Sequence, residues 1–360
     1  MQYGELSIPE LCQFMKRSIP TGTKLVDDFE SQGLLINAGK RESTGGRRPV
    51  TYVLNPDMGY VFSLEILLRS LRVHILNLEG NPVHAWESET FDIANHDESL
   101  ALLLEIVPWL IKEHELPSDR ILGAGVGITG RVNTRKGISH SFLHTGPPLC
   151  DRLTKAWKMP VFIDNDTHLL ALGENTFGLA REMENVVCVN LSKGLAVSVI
   201  ANGKLQSGHS GFAGEFGHLL AGVGKLRCVC GKTGCLETLV SGLALESAYL
   251  LATNKKLDYR KILTLPDSNS FSLSVELVKM GEQLGQSLAM LIDLLNPERI
   301  VLGGGFSPVL QRMYPAIHKG IHLHSLPQLS ADCDLTISSL GERAAVLGAF
   351  ALVTENLLVG

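Results

Sequence analysis

At Asn55-Pro56 the spacing of apolar residues changes character, and the two sides of that break cannot belong to one kind of domain. Ahead of it, Glu5–Met15 and Thr21–Gln32 carry apolar residues at helical intervals (Ile8, Leu11, Phe14, Met15; then Leu25, Val26, Phe29), with Arg17–Pro20 as the turn between them. Gly33 stops the second helix, and Leu34–Ile36 and Val50–Leu54 read as strands either side of Asn37–Pro49, a stretch rich in Gly, Ser and Arg. The order is helix, turn, helix, hairpin wing. Beyond the break, strands are expected at Tyr60–Leu68, Leu71–Leu78, Pro82–Trp86, Ile121–Ile128, Pro160–Ile163, Val186–Asn190, Leu195–Ala201 and Arg299–Leu302. Helices are expected at Ser99–Glu113, from Thr167, and at Leu236–Ala252 and Ser274–Leu295. Hairpins mixed with crossovers on this scale predict an α/β protein of two lobes with a cleft between them.

Composition narrows the function. With 32 basic against 37 acidic residues the net charge is −5, so no global positive field holds nucleic acid, and any DNA contact must sit in a small segment. The opening segment has the basic residues for it: Lys16, Arg17 and Lys24 around the turn and second helix, and Lys40, Arg41, Arg47 and Arg48 in the wing. Those are the two places where a winged helix-turn-helix touches DNA. Arg47-Arg48-Pro49 after Gly45-Gly46 also suits a minor-groove hook. A loop of solvated charges fits the same residues. The apolar runs Leu288–Ile292 and Ala344–Val353 fall short of the roughly 18–20 residues of a membrane span, and the first fifteen residues lack a secretory pattern, so a soluble cytoplasmic protein without membrane contact is expected.

Gly217-His218 is followed, after nine residues, by Cys228-Val229-Cys230-Gly231-Lys232-Thr233-Gly234-Cys235. One imidazole and three thiolates close a tetrahedral zinc shell with no position left for water, so His218, Cys228, Cys230 and Cys235 are expected to hold a structural Zn2+; reduced, metal-free cysteines are the alternative. Cys12, Cys150, Cys188 and Cys333 are isolated and read as buried or inert. Beside the knuckle lie Glu215 and Glu237, and Asp164-Asn165-Asp166 follows a strand. Carboxylates and amides at strand ends suit a polyhydroxylated ligand, although acidic loop ends are commonly just solvated.

The chain resembles the ROK family (repressors, open reading frames and sugar kinases) over essentially its whole length. The matching stretches are Gly59-Tyr60, Gly125-Val126-Gly127-Ile128-Thr129-Gly130, Asp164-Asn165-Asp166 with Ala171-Leu172-Gly173-Glu174, Gly203-Lys204-Leu205, Gly214 to His218, the knuckle ending in Glu237, Leu302-Gly303-Gly304-Gly305, and Gly341–Gly348. The resemblance implies the two-lobe actin-like (ribonuclease H-like) sugar-kinase fold, usually dimeric, behind a small winged helix-turn-helix domain. It divides the chain into 1–57, a first lobe of 58–164 plus 341–360, and a second lobe of 165–340. It implies sugar contacts at Asn165, Asp166, Glu215, His218 and Glu237, with Asp166 the catalytic base if the chain is a kinase. It also matches Thr21, Thr23 and Lys24 to the start of the recognition helix and Arg47-Arg48 to the wing. Family repressors usually carry one more helix ahead of the segment matching Glu5–Met15; Met1–Gly4 is too short for it, so either the start is misassigned or the DNA head is imperfect.

Family kinases wrap ATP phosphates with Asp-x-Gly-Gly-Thr and Gly-Thr-Gly-x-Gly-x-Gly. Registered on this chain, the first motif falls on Glu65, Leu67, Leu68 and Arg69, and the second on Ser192–Ser198 with only Gly194 left. Leucine fills space a phosphate needs and disfavours the conformations open to glycine. Phosphoryl transfer depends on holding those phosphates, so ATP and Mg2+ are not expected. Gly303–Gly305 fits either packing or a nucleotide. The expected function is a transcriptional regulator, a repressor, binding operator DNA and a sugar or sugar-phosphate effector. A sugar kinase with unusual loops and a ligand-binding protein with neither activity are the alternatives. The sugar itself is left open, since the discriminating contacts fall on variable positions such as Phe142–Pro148.

Overall fold

The computed structural model describes residues 4–40, 49–88, 90–221, 226–268 and 270–359. The N-terminal segment runs β1 (Leu6–Ser7), α1 (Ile8–Met15), α2 (Ile19–Ser31), β2 (Leu35–Lys40) and β3 (Val50–Leu54), with the strands in the antiparallel order β1-β3-β2. The first helix starts later than its apolar spacing predicts, because Ser7 turns the chain there: its amide and its hydroxyl both donate to the Glu10 carboxylate at 2.7 Å. The second starts earlier, at Ile19, where Ser18 accepts from the Thr21 amide and Pro20 occupies a first-turn position that needs no N–H. The helices cross at Gly22, whose Cβ would lie 2.1 Å from the sulfur of buried Cys12.

The first α/β unit contains β4 (Tyr60–Ile66), β5 (Leu71–Asn77), β6 (Pro82–Ser88), α3 (His96–Glu113), β7 (Ile121–Ile128), a two-rung hairpin of β8 (Val132–Asn133) and β9 (Ile138–Ser139), α4 (Leu149–Trp157) and β10 (Val161–Asn165). Its sheet has the order β10-β7-β4-β5-β6; β4, β5 and β6 are antiparallel, and β4, β7 and β10 parallel. Every residue from Val61 to Ile66 is buried, as a central strand covered on both faces requires. Phe62, Leu64 and Ile66 join a core with Leu103, Leu110 and Trp157, while Val61 joins Val346 and Phe350 on the other side.

After α5 (Asp166–Phe177) comes a second sheet built from β11 (Val186–Leu191), β12 (Leu195–Ala201) and β13 (Lys204–Leu205), then α6 (Gly242–Thr253), α7 (Tyr259–Ile262), α8 (Leu273–Leu295), β14 (Arg299–Gly303), α9 (Leu310–His324), α10 (Pro327–Asp332), β15 (Asp334–Ile337) and α11 (Arg343–Val359). Its order, β13-β12-β11-β14-β15, repeats the first: counted within each unit, both sheets read 3-2-1-4-5, with three antiparallel strands followed by parallel ones. This is the expected two-lobe α/β architecture.

The sheets meet through α5 and α11, which pack backbone to backbone. A Cβ at Gly173 would lie 1.9 Å from the Ala344 carbonyl oxygen, and one at Gly348 only 1.8 Å from that of Leu169. No rotamer relieves a clash with backbone. Gly348→Ala is therefore expected to force the helices apart and to lower unfolding free energy by about 3 kcal/mol or more, read as a fall in the urea midpoint; an unchanged midpoint would show that the helices can slide apart freely.

Candidate functional site

The carboxyl ends of parallel β4, β7 and β10 lie side by side, the place where open α/β sheets present ligand-binding groups. In register, Gly127 faces Glu65 on one side and Asp164 on the other. Asp164 is buried and fully engaged: its Oδ1 accepts from Thr134 Oγ1 (2.8 Å) and the Asn165 amide (2.7 Å) and meets His168 Nδ1 at 2.8 Å. Burial alone would lower the pKa of His168, but the hydrogen bond and charge of Asp164, with the Ala213 carbonyl, raise it above its ordinary value. This pair ties the start of α5 to the loop ahead of Glu215.

Asn165 caps α5. Its Oδ1 accepts from the amides of Thr167 (2.8 Å) and His168 (3.3 Å), and its Nδ2 donates to the Gly130 carbonyl (2.8 Å). Asp166, at the first position of α5, accepts from the Thr167 amide at 2.8 Å; burial pushes its carboxyl up to about 6, against the lowering effect of the Thr167 bonds. On the second sheet's side, Asn190 Nδ2 donates to Thr167 Oγ1 at 3.1 Å, holding the same helix end.

The ligand atoms of His218, Cys228, Cys230 and Cys235 all lie within 4.8 Å of one another. Metal–sulfur bonds of about 2.3 Å and a metal–nitrogen bond of about 2.0 Å in a tetrahedron put neighbouring ligand atoms about 3.5 Å apart. Two pairs already stand at that spacing, Cys228 Sγ to His218 Nδ1 and Cys230 Sγ to Cys235 Sγ, each 3.6 Å. The donor set thus fits one tetrahedral metal ion. His218 turns its other nitrogen, Nε2, to the exposed carboxylate of Glu215 at 3.5 Å. Lys232 Nζ donates to the His218 carbonyl at 2.7 Å, tying the knuckle's tip to the His218 backbone.

Glu237 is placed differently from the sequence expectation. A helix was expected from Leu236, but Leu236–Thr238 form a single 3-10 turn and α6 starts at Gly242, capped by Ser241 Oγ, which accepts from the Ala244 amide at 3.0 Å. The break turns Glu237 inward: Oε1 lies 3.8 Å from Cys228 Sγ, and Oε2 accepts from the Leu195 amide at 3.3 Å. Gly194 leaves room for it, since a Cβ there would lie 2.6 Å from that oxygen. Glu215, His218, the thiols and Glu237 thus form one continuous group.

Neither loop registered on the kinase phosphate motifs is an open glycine cradle. Leu67 and Ser70 close a tight turn (3.0 Å), and Leu68 packs onto the first sheet's core. Glu65 is nine-tenths buried, its Oε2 has no hydrogen-bond partner, and burial pushes its carboxyl up to about 7. The nearest cation, Arg72 Nη1, stands 4.0 Å away and is already shared with Glu342 (3.0 Å), while its Nε bonds Glu87 (2.8 Å). In the second loop Lys193 is paired with Glu246 and lies 3.5 Å from Asp258. Gly304 (φ +92°) packs under it: a Cβ would lie 2.4 Å from Asn190 Oδ1, and the Gly305 amide donates to Ser192 Oγ at 2.8 Å. Of the two roles open to Gly303–Gly305, these contacts account for packing.

Ser139, Leu143, His144 and Gly146–Leu149 line a small cavity of about 110 Å³. On α2, Lys24 is exposed, Thr21 Oγ1 is 2.8 Å from Ser18 Oγ, and Thr23 Oγ1 donates to the Ile19 carbonyl at 2.9 Å. Both threonine hydroxyls therefore already serve the helix. Arg47 and Arg48 lie outside the described residues. Sequence reasoning missed the Asp164–His168 pair, whose only signal is an acid four residues before a histidine, and it assigned Glu65 to a lost phosphate motif without foreseeing an orphaned buried acid. Among the described residues no helix is long and apolar enough to cross a membrane.

Known proteins resemble this chain over four-fifths or more of its length. A xylose repressor of Bacillus spizizenii is 28% identical, covering 99% of this chain and 93% of its own. A glucokinase of Halalkalibacterium halodurans is 32% identical over 80% of this chain and 92% of its own. The crystal structure of a ROK family transcriptional regulator, homolog of the E. coli MLC protein, superposes with a TM-score of 0.78 at 25% identity, covering 98% of this chain and 94% of that one. The ROK family model matches residues 75–356, and the chain belongs to the ROK family.

Proposed function

We propose that this protein is a sugar-responsive transcriptional repressor. The observation that carries the reading is the combination of an N-terminal helix pair and hairpin with lobes whose phosphate turn is closed by Leu67 and Ser70, with Leu68 packed on the core. The likeness to the xylose repressor along 99% of the chain supports it. In this reading residues 1–57 are a winged helix-turn-helix, 58–164 plus 341–360 the first lobe, and 165–340 the second.

The effector, a sugar or sugar derivative, lies against Asn165, Asp166, Glu215, His218 and Glu237. The carboxylates accept from its hydroxyls, and Asn165 holds its own cap geometry rather than reorganising on binding. A zinc ion held by His218, Cys228, Cys230 and Cys235 acts as a structural cross-link, fixing the imidazole and the turn that bears Glu237. Asp166 has the position of a base, yet without cradled phosphates it has no phosphoryl group to direct. The protein works in the cytoplasm as a homodimer. Sugar bound more tightly by one cleft geometry than another shifts the population of dimers and with it the spacing of the two DNA heads.

Operator contact falls to Thr21, Thr23 and Lys24 on α2 and to Arg47 and Arg48. A duplex selected from a random pool on the full chain should be retained with an affinity that falls steeply with salt, and retention should change on adding one of xylose, glucose or N-acetylglucosamine. Lys24→Ala should lower the slope of log affinity against log salt by about 1. Failure to select any duplex, or retention indifferent to salt, defeats the proposal.

A further inference from the structure

The effector class follows from the acid that the phosphate turn leaves behind. Glu65 and Asp166 flank Gly127: Glu65 is its partner across β4 and β7, and a Cβ on Gly127 would lie 3.8 Å from the Asp166 Cα. Leu169 Cδ1, 2.8 Å from where that Cβ would lie, fills the gap left by the missing side chain, so Glu65 and the start of α5 lie on one face of the sheet, and the charge of Asp166 acts on Glu65. Resting on the sugar-site reading above, we infer that Glu65 makes this site select unphosphorylated sugars over sugar phosphates.

A hydroxyl held by Asp166 that carried a phosphoryl group would place a dianion between these two acids. Most of the groups that usually hold such an anion are already engaged. At the start of α5 the Thr167 and His168 amides, natural anion donors, are bound by Asn165 Oδ1, and the Thr167 amide also by Asp166. Arg72 is shared between Glu87 and Glu342. Arg260, the cation facing Glu65 from α7, has its Nε on the Tyr259 hydroxyl at 3.3 Å. Leu67 and Leu68 bring no polar side chain. A neutral hydroxyl meets none of these penalties, because it can donate to either carboxyl. Glu65 is therefore a specificity-determining residue, working by repulsion of the wrong ligand rather than by attraction of the right one.

The test uses the full chain at pH 8 in a thermal-shift titration with xylose, glucose, N-acetylglucosamine, glucose 6-phosphate and N-acetylglucosamine 6-phosphate. At least one neutral sugar should raise the melting temperature, and neither phosphate should do so even at about 100-fold higher concentration. Glu65→Gln and Glu65→Ala should each gain a response to a phosphate, a rise in its affinity of about 10-fold or more, whereas Glu65→Asp, which keeps the charge, should not. Two outcomes overturn the inference while leaving the sugar site standing: stabilisation of the wild type by a phosphate at or below the concentration needed for any neutral sugar, or continued indifference to phosphates in both uncharged variants. No response to any of the five compounds defeats the sugar-site reading itself and this inference with it.

Discussion

Cys235→Ser should yield a chain that retains little or no metal on purification, where the wild type is expected to carry one zinc per chain, and that melts on the order of 10 °C lower. Cys235 is wholly buried and heads the turn Leu236–Thr238, and it bridges back to Leu220 on the segment that follows His218. Its sulfur is 3.6 Å from that of Cys230. Replacing it with an oxygen ligand opens the shell at the one thiol that joins the knuckle to the Glu237 turn. Structural zinc stabilises small isolated domains by roughly 10–16 kcal/mol. Here the loss should be smaller, because Phe216, Leu236 and Val240 belong to a large apolar core built on β11, β12, α8 and α9 rather than around the metal. What should be lost is position. His218 Nε2 faces Glu215 and Glu237 packs on Cys228, so sugar affinity is expected to fall about 10–100-fold. Elemental analysis and the sugar thermal shift read the two effects separately. A Cys235→Ser protein with full zinc content and unchanged sugar response would remove the metal from any part in holding the site.

Much of this was legible because it is local in sequence. His218 and the three cysteines fall within one short segment, so their spacing alone implies convergence, and the structure brings the four ligand atoms together. The helix pair before Asn55 and the strands after it follow from apolar spacing, with errors where a side chain caps the backbone: Ser7 and Ser18 move two helix starts, and Ser241 separates Leu236–Thr238 from α6. Capping decides such ends by one hydrogen bond, which periodicity does not register. The duplicated 3-2-1-4-5 sheets were not visible, since buried parallel strands such as Ile121–Ile128 read as plain apolar runs that carry no record of their neighbours. The placement of Glu65 depends on which residues meet across strands, information that exists only once β4 and β7 lie in register, while the Asp164–His168 pair depends on β10 ending where α5 begins.

Glu65→Gln is expected to stabilise the fold by up to about 3 kcal/mol at pH 8 and by little near pH 4.5. Burial raises the carboxyl of Glu65 from 4.5 to about 7, more than Arg72 at 4.0 Å offsets. A raised carboxyl pKa means that the folded state binds the proton more tightly than the unfolded chain does. The advantage is whole below about pH 4.5, where both states are protonated, declines through the window from 4.5 to 7, and is gone above it; at 1.36 kcal/mol per pH unit that shift amounts to about 3 kcal/mol. Glutamine does not ionise, so its stability should not follow this decline. Asp166, raised to about 6, has the same sign in both proteins and largely cancels from their difference. Urea unfolding at pH 5 and pH 8 measures the effect, and parallel pH dependence in the two proteins would sink it. A penalty of this size is a sizeable share of a typical folding free energy of 5–15 kcal/mol. Packing gives no reason to keep a buried acid with one oxygen lacking a hydrogen bond where its neutral isostere is more stable, whereas repulsion of a phosphorylated ligand needs its charge at the pH where the penalty is greatest.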